Sequence, residues 1–132
     1  RESVKYFKKS NSGVIINISS TYGNVSPNKN IYKKNGINSP PSYASSKSAI
    51  INFTRYLATH LAEYNIRANV LSPGGVLNNQ DEEFIREYEN LTPLKRMALS
   101  DDYTGAVIYM LSDSSKYMTG SNIIIDGGWT AW

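Results

Sequence analysis

The run Val14-Ile15-Ile16-Asn17-Ile18 is short, β-branched and almost uninterrupted, with Asn11-Ser12-Gly13 before it and Ser19-Ser20 after it. Such a stretch has no polar side to give to water, so it reads as a strand buried on both faces, as in a parallel sheet. It demands helices above and below and a neighbour at each edge, because an unpaired apolar edge invites association. The remaining sequence answers that demand. Ile66 to Leu71 is a second short β-rich run, ended by Pro73-Gly74-Gly75, and Asn122 to Ile125 is a third, preceded by Gly120. Helical patterns separate them. Val4, Tyr6 and Phe7 are spaced as on a helix ending near Lys9. Ser42 is read as the cap of a helix from about Tyr43 to Glu63, whose Ile50, Phe53, Leu57 and Leu61 form an apolar stripe. Asp81-Glu82-Glu83 opens a small helix to about Asn90, with acids at the positive end of its dipole. Pro93 interrupts, and Ser100 with Asp101 and Asp102 starts a helix carrying Tyr103, Ala106, Val107, Met110 and Leu111. Strands alternating with helices imply right-handed crossovers and an α/β fold.

Three strands make a narrow sheet, and the first still lacks one neighbour. The chain begins at Arg1 inside a helical pattern, so it is expected to be a piece of something longer. With 132 residues, 40% hydrophobic and 19% charged, one globular unit is the ceiling. No apolar run approaches the ~20 residues of a membrane span, and no signal peptide pattern opens the chain. The absence of cysteine excludes disulfides and thiolate metal sites and fits a reducing cytoplasm. No metal site is expected. A net charge of +3 is too small to argue for nucleic acid. No membrane or nucleic-acid partner is therefore expected.

Residues from Ser19 to Pro41 form a long Ser-, Asn-, Lys-, Gly- and Pro-rich stretch without period, a length that within a compact domain calls for a functional explanation. Directly after it, Tyr43-Ala44-Ser45-Ser46-Lys47 places a phenol and an ammonium four positions apart, about 6 Å along a helix and some 40° around it. The pair can act together. Taken alone, the spacing reads as a helix surface pair, since so short a pattern recurs by chance.

The segments IINISS (Ile15 to Ser20), YASSK (Tyr43 to Lys47), NVLSPG (Asn69 to Gly74) and TGSNIIIDGG (Thr119 to Gly128) stand in one order across nearly the whole chain. In that order they resemble the C-terminal half of classical short-chain dehydrogenases/reductases, particularly members from bacterial sugar and surface-glycan pathways. The resemblance implies half of a Rossmann-like, doubly wound parallel sheet, and a NAD- or NADP-dependent oxidoreductase that interconverts a carbonyl and an alcohol. A sugar or sugar phosphate is a candidate substrate.

By the same resemblance Tyr43 moves the proton at the substrate oxygen. A free phenol ionises near pH 10, so work near neutrality needs the phenolate favoured, which an ammonium within ~4–6 Å does. Lys47 matches that role and the contact to the nicotinamide ribose. Ser20, rather than Ser19, matches the serine that orients the substrate carbonyl; outside the family, both serines would be read as satisfying turn amides. Pro73, Gly74, Val76 and Asn78 match positions beside the nicotinamide carboxamide, with Thr more usual in the family where Asn78 stands. Tyr43 lies 23 residues beyond Ser20, more than is usual, so residues 21–41 are read as an insertion at the mouth of the site. Its Tyr22, Tyr32, Lys29, Lys33 and Lys34 would meet an anionic sugar there, or form only a solvated charge cluster. Residues 77–96 resemble the family's mobile substrate lid.

The glycine-rich phosphate loop, the residue separating NAD from NADP and the family's asparagine are expected upstream of Arg1. This chain alone is expected to be inactive. Two alternatives stay open: a fragment serving as a dimerisation or assembly element, and a nucleotide-sugar epimerase or dehydratase, which shares the Tyr and Lys pair. Asp126-Gly127-Gly128 reads as a structural strand exit. A homo-oligomer is expected, with Trp129, Trp132 and the outer side of the Tyr43 helix as interface candidates. Packing of the tryptophans within the monomer is the equal alternative. His60 is read as a surface or interface residue.

Overall fold

The structure, a computed structural model, describes residues 2–32 and 39–132. Seven elements follow in the expected order: α1 (Glu2–Ser10), β1 (Gly13–Ile18), α2 (Pro41–Leu61), β2 (Ile66–Pro73), α3 (Glu82–Leu91), α4 (Thr104–Leu111) and β3 (Asn122–Ile125). The sheet has the order β1-β2-β3 and both pairings are parallel, with Gly13 opposite Ile66, Ile18 opposite Leu71, Val70 opposite Asn122 and Pro73 opposite Ile125. All three strands therefore end at one rim. None of the helices among the described residues is long and apolar enough to cross a membrane.

β2 is the central strand and the most buried. Its polar residues survive burial because each is satisfied. Asn69 donates to the Met118 carbonyl at 2.9 Å and accepts from the Ser121 amide at 3.0 Å, and Ser72 donates to Asn122 at 2.7 Å. These bonds also fix the register of β3. Arg67 reaches from β2 to the carbonyls of Met110 and Ser112, at 3.0 and 3.3 Å, a cation at the negative end of α4. β1 departs from expectation: it is half-buried, not buried on both faces, and Ile18 is exposed. The reason is its place at the edge of the sheet, pairing with β2 alone among the described strands.

Two further readings are corrected. The cap of α2 is Pro40 rather than Ser42; the helix starts at Pro41, whose fixed φ and missing N–H suit a first helical position. The buried stripe of α2 is Ile51, Thr54, Ala58 and Leu61, while Phe53 is 55% exposed. Small residues at 54 and 58 let the helix lie close on the sheet. Thr54 is buried because its hydroxyl donates to the Ile50 carbonyl at 2.7 Å and accepts from Asn17 at 2.8 Å. The long stretch after β1 carries structure, with 3₁₀ turns at Thr21–Gly23 and Lys29–Tyr32. Ile31 is buried with Tyr88, Met97 and Trp129. Lys33 and Lys34 lie outside the described residues. Trp129 packs within the monomer, its ring stacked on Tyr88 with centroids 4.3 Å apart, whereas Trp132 is exposed. His60 is exposed on α2, against the ring of Tyr56.

Candidate active site

Hydrogen bonds from hydroxyls fasten the tip of β1 to the start of α2. Ser19 donates to the carbonyl of Lys47 at 2.8 Å, and Ser48 donates to the carbonyl of Gly23 at 2.8 Å. Gly23 makes this possible: a Cβ there would stand 2.5 Å from Ser19 Oγ and 2.9 Å from the Lys47 carbonyl carbon. The 3₁₀ turn after Ser20 is thus seated directly on the helix that carries Tyr43 and Lys47. The long separation in sequence leaves the two anchors close in space.

Ser20 is buried and caps this turn, its Oγ accepting from the Tyr22 amide at 3.1 Å. An oxygen that accepts in this way keeps its own proton to donate. Ser19 spends its proton on α2. Tyr43, in the first turn of α2, is 40% exposed. One turn later, Lys47 places Nζ 5.7 Å from the Tyr43 ring centroid and donates to the Ile18 carbonyl at 3.2 Å. Ser20, Tyr43, Gly74 and Val76 line one cleft of about 410 Å³ at the strand-end rim, where ligands bind in sheets of this kind.

The other residues singled out stand around it. Lys47 and Pro73 are not among the lining residues; Lys47 lies one turn after Tyr43 on α2, and Pro73 ends β2 next to Gly74. Gly74 donates its amide to the Ile125 carbonyl at 2.8 Å. The Gly75 carbonyl and Leu77 amide pair with Ala98 at 2.9 and 2.8 Å, turning the backbone polar groups of Val76 the other way. The Val76 carbonyl accepts from Gln80 at 2.7 Å. Asn78 is exposed, its amide donating to Gln80 at 2.6 Å, and it does not line the cleft. Lys29 is exposed and does not line it either.

Sequence reasoning did not single out Thr21, Gln80, Phe84, Tyr88 or Met97, which line the cleft together with Tyr22, Tyr32, Ser39, Pro40 and Gly75. The spacing of Phe84 and Tyr88, four apart on one face of α3, was the available signal. Tyr88 accepts from the Gly75 amide at 2.6 Å, and the Tyr22 and Tyr32 hydroxyls lie 3.2 Å apart. Burial, with help from the hydrogen bond to Tyr32, pushes the Tyr22 phenol far above its ordinary range. Burial likewise raises Tyr88, against a lowering by the Gly75 amide.

A family model described as enoyl-(acyl carrier protein) reductase matches residues 1–130. Post-translational flagellin modification protein A of Campylobacter coli is 37% identical over 98% of this chain and 50% of its own length. D-arabinitol 2-dehydrogenase (ribulose-forming) of Candida tropicalis is 41% identical over 68% of this chain and 35% of its own. Among solved structures, a short-chain dehydrogenase from Leptospira borgpetersenii with bound NAD+ superimposes with a TM-score of 0.90 and 43% identity, covering 96% of this chain and 48% of that one. The chain spans about half the length of these relatives or less. A parallel sheet with the Tyr43 and Lys47 pair at its strand-end rim, together with these matches, places the chain in the short-chain dehydrogenase/reductase family.

Proposed function

We propose that this chain is the substrate-side half of a nicotinamide-dependent oxidoreductase that interconverts an alcohol and a carbonyl on a sugar derivative. One observation carries the reading: a serine hydroxyl with its proton to spare and an accessible phenol, backed by an ammonium, line or border a single cleft at the strand ends. Ser20 donates to the substrate oxygen and holds it. Tyr43 gives that oxygen its proton in reduction and takes it back in oxidation. Lys47, anchored on the Ile18 carbonyl, keeps positive charge next to the phenol.

The residues present fit NAD or NADP at its nicotinamide end. An ammonium has three protons and the Ile18 carbonyl takes one, leaving Lys47 able to donate to ribose hydroxyls beside Tyr43. The backbone polar edge of Val76, with Pro73 and Gly74 before it and Asn78 after it, is suited to a carboxamide. When bound, the nicotinamide supplies or accepts the hydride at the substrate carbon. The sugar derivative is supported by the arabinitol dehydrogenase relative. The exposed Phe53 and Tyr56 on α2, with ring centroids 6.4 Å apart, support a homo-oligomer through that helix.

The test is Tyr43→Phe in the full-length gene product. Turnover, followed by nicotinamide absorbance, should fall at least ~10³-fold if this phenol alone moves the proton. Cofactor binding, followed by fluorescence, should stay nearly intact. Retained turnover would assign the proton to another group.

A further inference from the structure

We propose that Tyr88 and Tyr103 are positioning residues for the nicotinamide end of the cofactor, holding between them the one peptide group that joins Gly74 to Gly75. This rests on the oxidoreductase reading, which gives the polar edge of Val76 to the carboxamide, and adds to it the side chains that aim that edge.

The Gly74–Gly75 peptide is bonded at both of its polar ends by phenols from different elements. Tyr103, just before α4, donates its hydroxyl to the Gly74 carbonyl at 3.2 Å, and the Gly75 amide donates to the Tyr88 hydroxyl of α3 at 2.6 Å. The segment needs such holding. Both glycines are required by close approach, since a Cβ would stand 2.8 Å from Asp126 Cα at Gly74 and 2.8 Å from Tyr88 Cζ at Gly75. The same lack of a side chain leaves the backbone free to rotate. Gly74 and Gly75 also line two spaces, the cleft and a second cavity of about 120 Å³, so close packing does not by itself hold them. A planar peptide bonded at its oxygen and at its N–H rotates only by breaking both bonds. The next peptide is fixed by the bond from the Ala98 amide to the Gly75 carbonyl at 2.9 Å. With both planes held, the two dihedrals of Gly75 are set, and with them the direction of the Val76 amide. Burial raises the Tyr103 phenol to about 12, so it stays protonated and able to donate. Tyr88 is itself held, its ring stacked on Trp129 with centroids 4.3 Å apart.

The experiment is fluorescence titration of the full-length gene product with NADH or NADPH, whichever binds the unmodified protein more tightly, beside steady-state rates. Tyr103→Phe and Tyr88→Phe keep their rings and should each weaken cofactor binding about 3- to 10-fold, a single hydrogen bond's worth. Tyr103→Phe is the sharper variant, because Tyr103 lines neither space and acts on the cofactor only through Gly74. The double variant should lose less than the product of the two single losses, because a peptide released at one end gains little from release at the other. Ser115→Ala removes a buried hydroxyl that donates to the Met110 carbonyl at 3.0 Å, beyond the end of α4, and should lower the melting temperature with cofactor affinity unchanged. Unchanged cofactor affinity in Tyr103→Phe, strictly multiplicative losses in the double variant, or an equal loss in Ser115→Ala would overturn the proposal. Hydride transfer by the unmodified protein keeps the two readings apart. Cofactor bound and weakened by the variants, with no transfer, sinks the oxidoreductase reading alone, and transfer with an affinity unmoved by the variants sinks this one alone.

Discussion

Ser19 and Ser20 are neighbours in the chain and opposites in chemistry. Ser19 donates inward to the Lys47 carbonyl, while Ser20 accepts from the Tyr22 amide and keeps its proton for the cleft. Ser20→Ala in the full-length gene product should therefore lower kcat/KM by ~10²-fold or more, the usual loss for one donor at a developing oxyanion. Ser19→Ala should cost about 1 kcal/mol of stability, with turnover kept within ~10-fold. Steady-state rates and thermal melts on both variants decide it; the reverse pattern would exchange their roles. Nothing in the residue pair itself distinguishes the two serines. The family pattern does, and hydrogen bonding supplies the physical reason. The phenols make a second residue-level prediction. Burial raises Tyr22 and Tyr88, and raises Tyr103 to about 12. A phenol whose folded pKa exceeds its unfolded value stabilises the fold fully below pH ~10, and that contribution is lost as pH climbs towards the folded value. Denaturant midpoints should fall steadily from pH ~10 to ~12, and only a part of the phenolate absorbance, that of the buried phenols, should appear with unfolding. A midpoint flat across that range would show that these three phenols are not held neutral by the fold.

Strands were legible in the sequence because their information is local. β3 runs over the expected Asn122–Ile125, and β2 extends two residues past Leu71, through Pro73. α2 was legible as a helix, but not its buried face, because Thr54 enters the core with its hydroxyl satisfied by the Ile50 carbonyl and by Asn17 on β1, partners that no periodicity reveals. The same limit hid the cleft's far wall. Tyr88 belongs to the cleft because it lies over Gly75, and that contact joins α3 to the end of β2. A Cβ on Gly75 would stand 2.8 Å from Tyr88 Cζ and 3.0 Å from Met97 Cε, so the helix rests on the absence of a side chain there. Gly75→Ala should push α3 outward at a cost of about 1–3 kcal/mol, typical of overpacking. It should also weaken substrate binding more than cofactor binding. Melting temperature and separate titrations with the two ligands check this. An unchanged melt would mean that α3 shifts freely, as expected of a lid over residues 77–96.

At the scale of the whole molecule the open question is what covers β1. Its run of branched apolar residues suits a strand with two neighbours, yet it pairs with β2 alone among the described strands and is nowhere fully buried. Apolar side chains are also exposed on the helices, including Phe53 on α2 and Ile108 on α4. The chain spans about half the length of relatives that it matches. Expressed as these 132 residues alone, the chain should then self-associate through the β1 edge, which offers a row of backbone donors and acceptors. Light scattering after size exclusion should show species larger than a monomer, growing with concentration. The helices offer a competing route, and substitution separates it. Phe53→Lys and Ile108→Lys should leave edge-driven association in place, but would abolish association driven by exposed helix faces. A gene product in which a further strand covers β1 should not show the same open-ended growth, because a covered edge ends the process at a defined oligomer. A monodisperse 132-residue monomer melting above about 60 °C, in the upper range for ordinary domains, would show that β1 needs no neighbour.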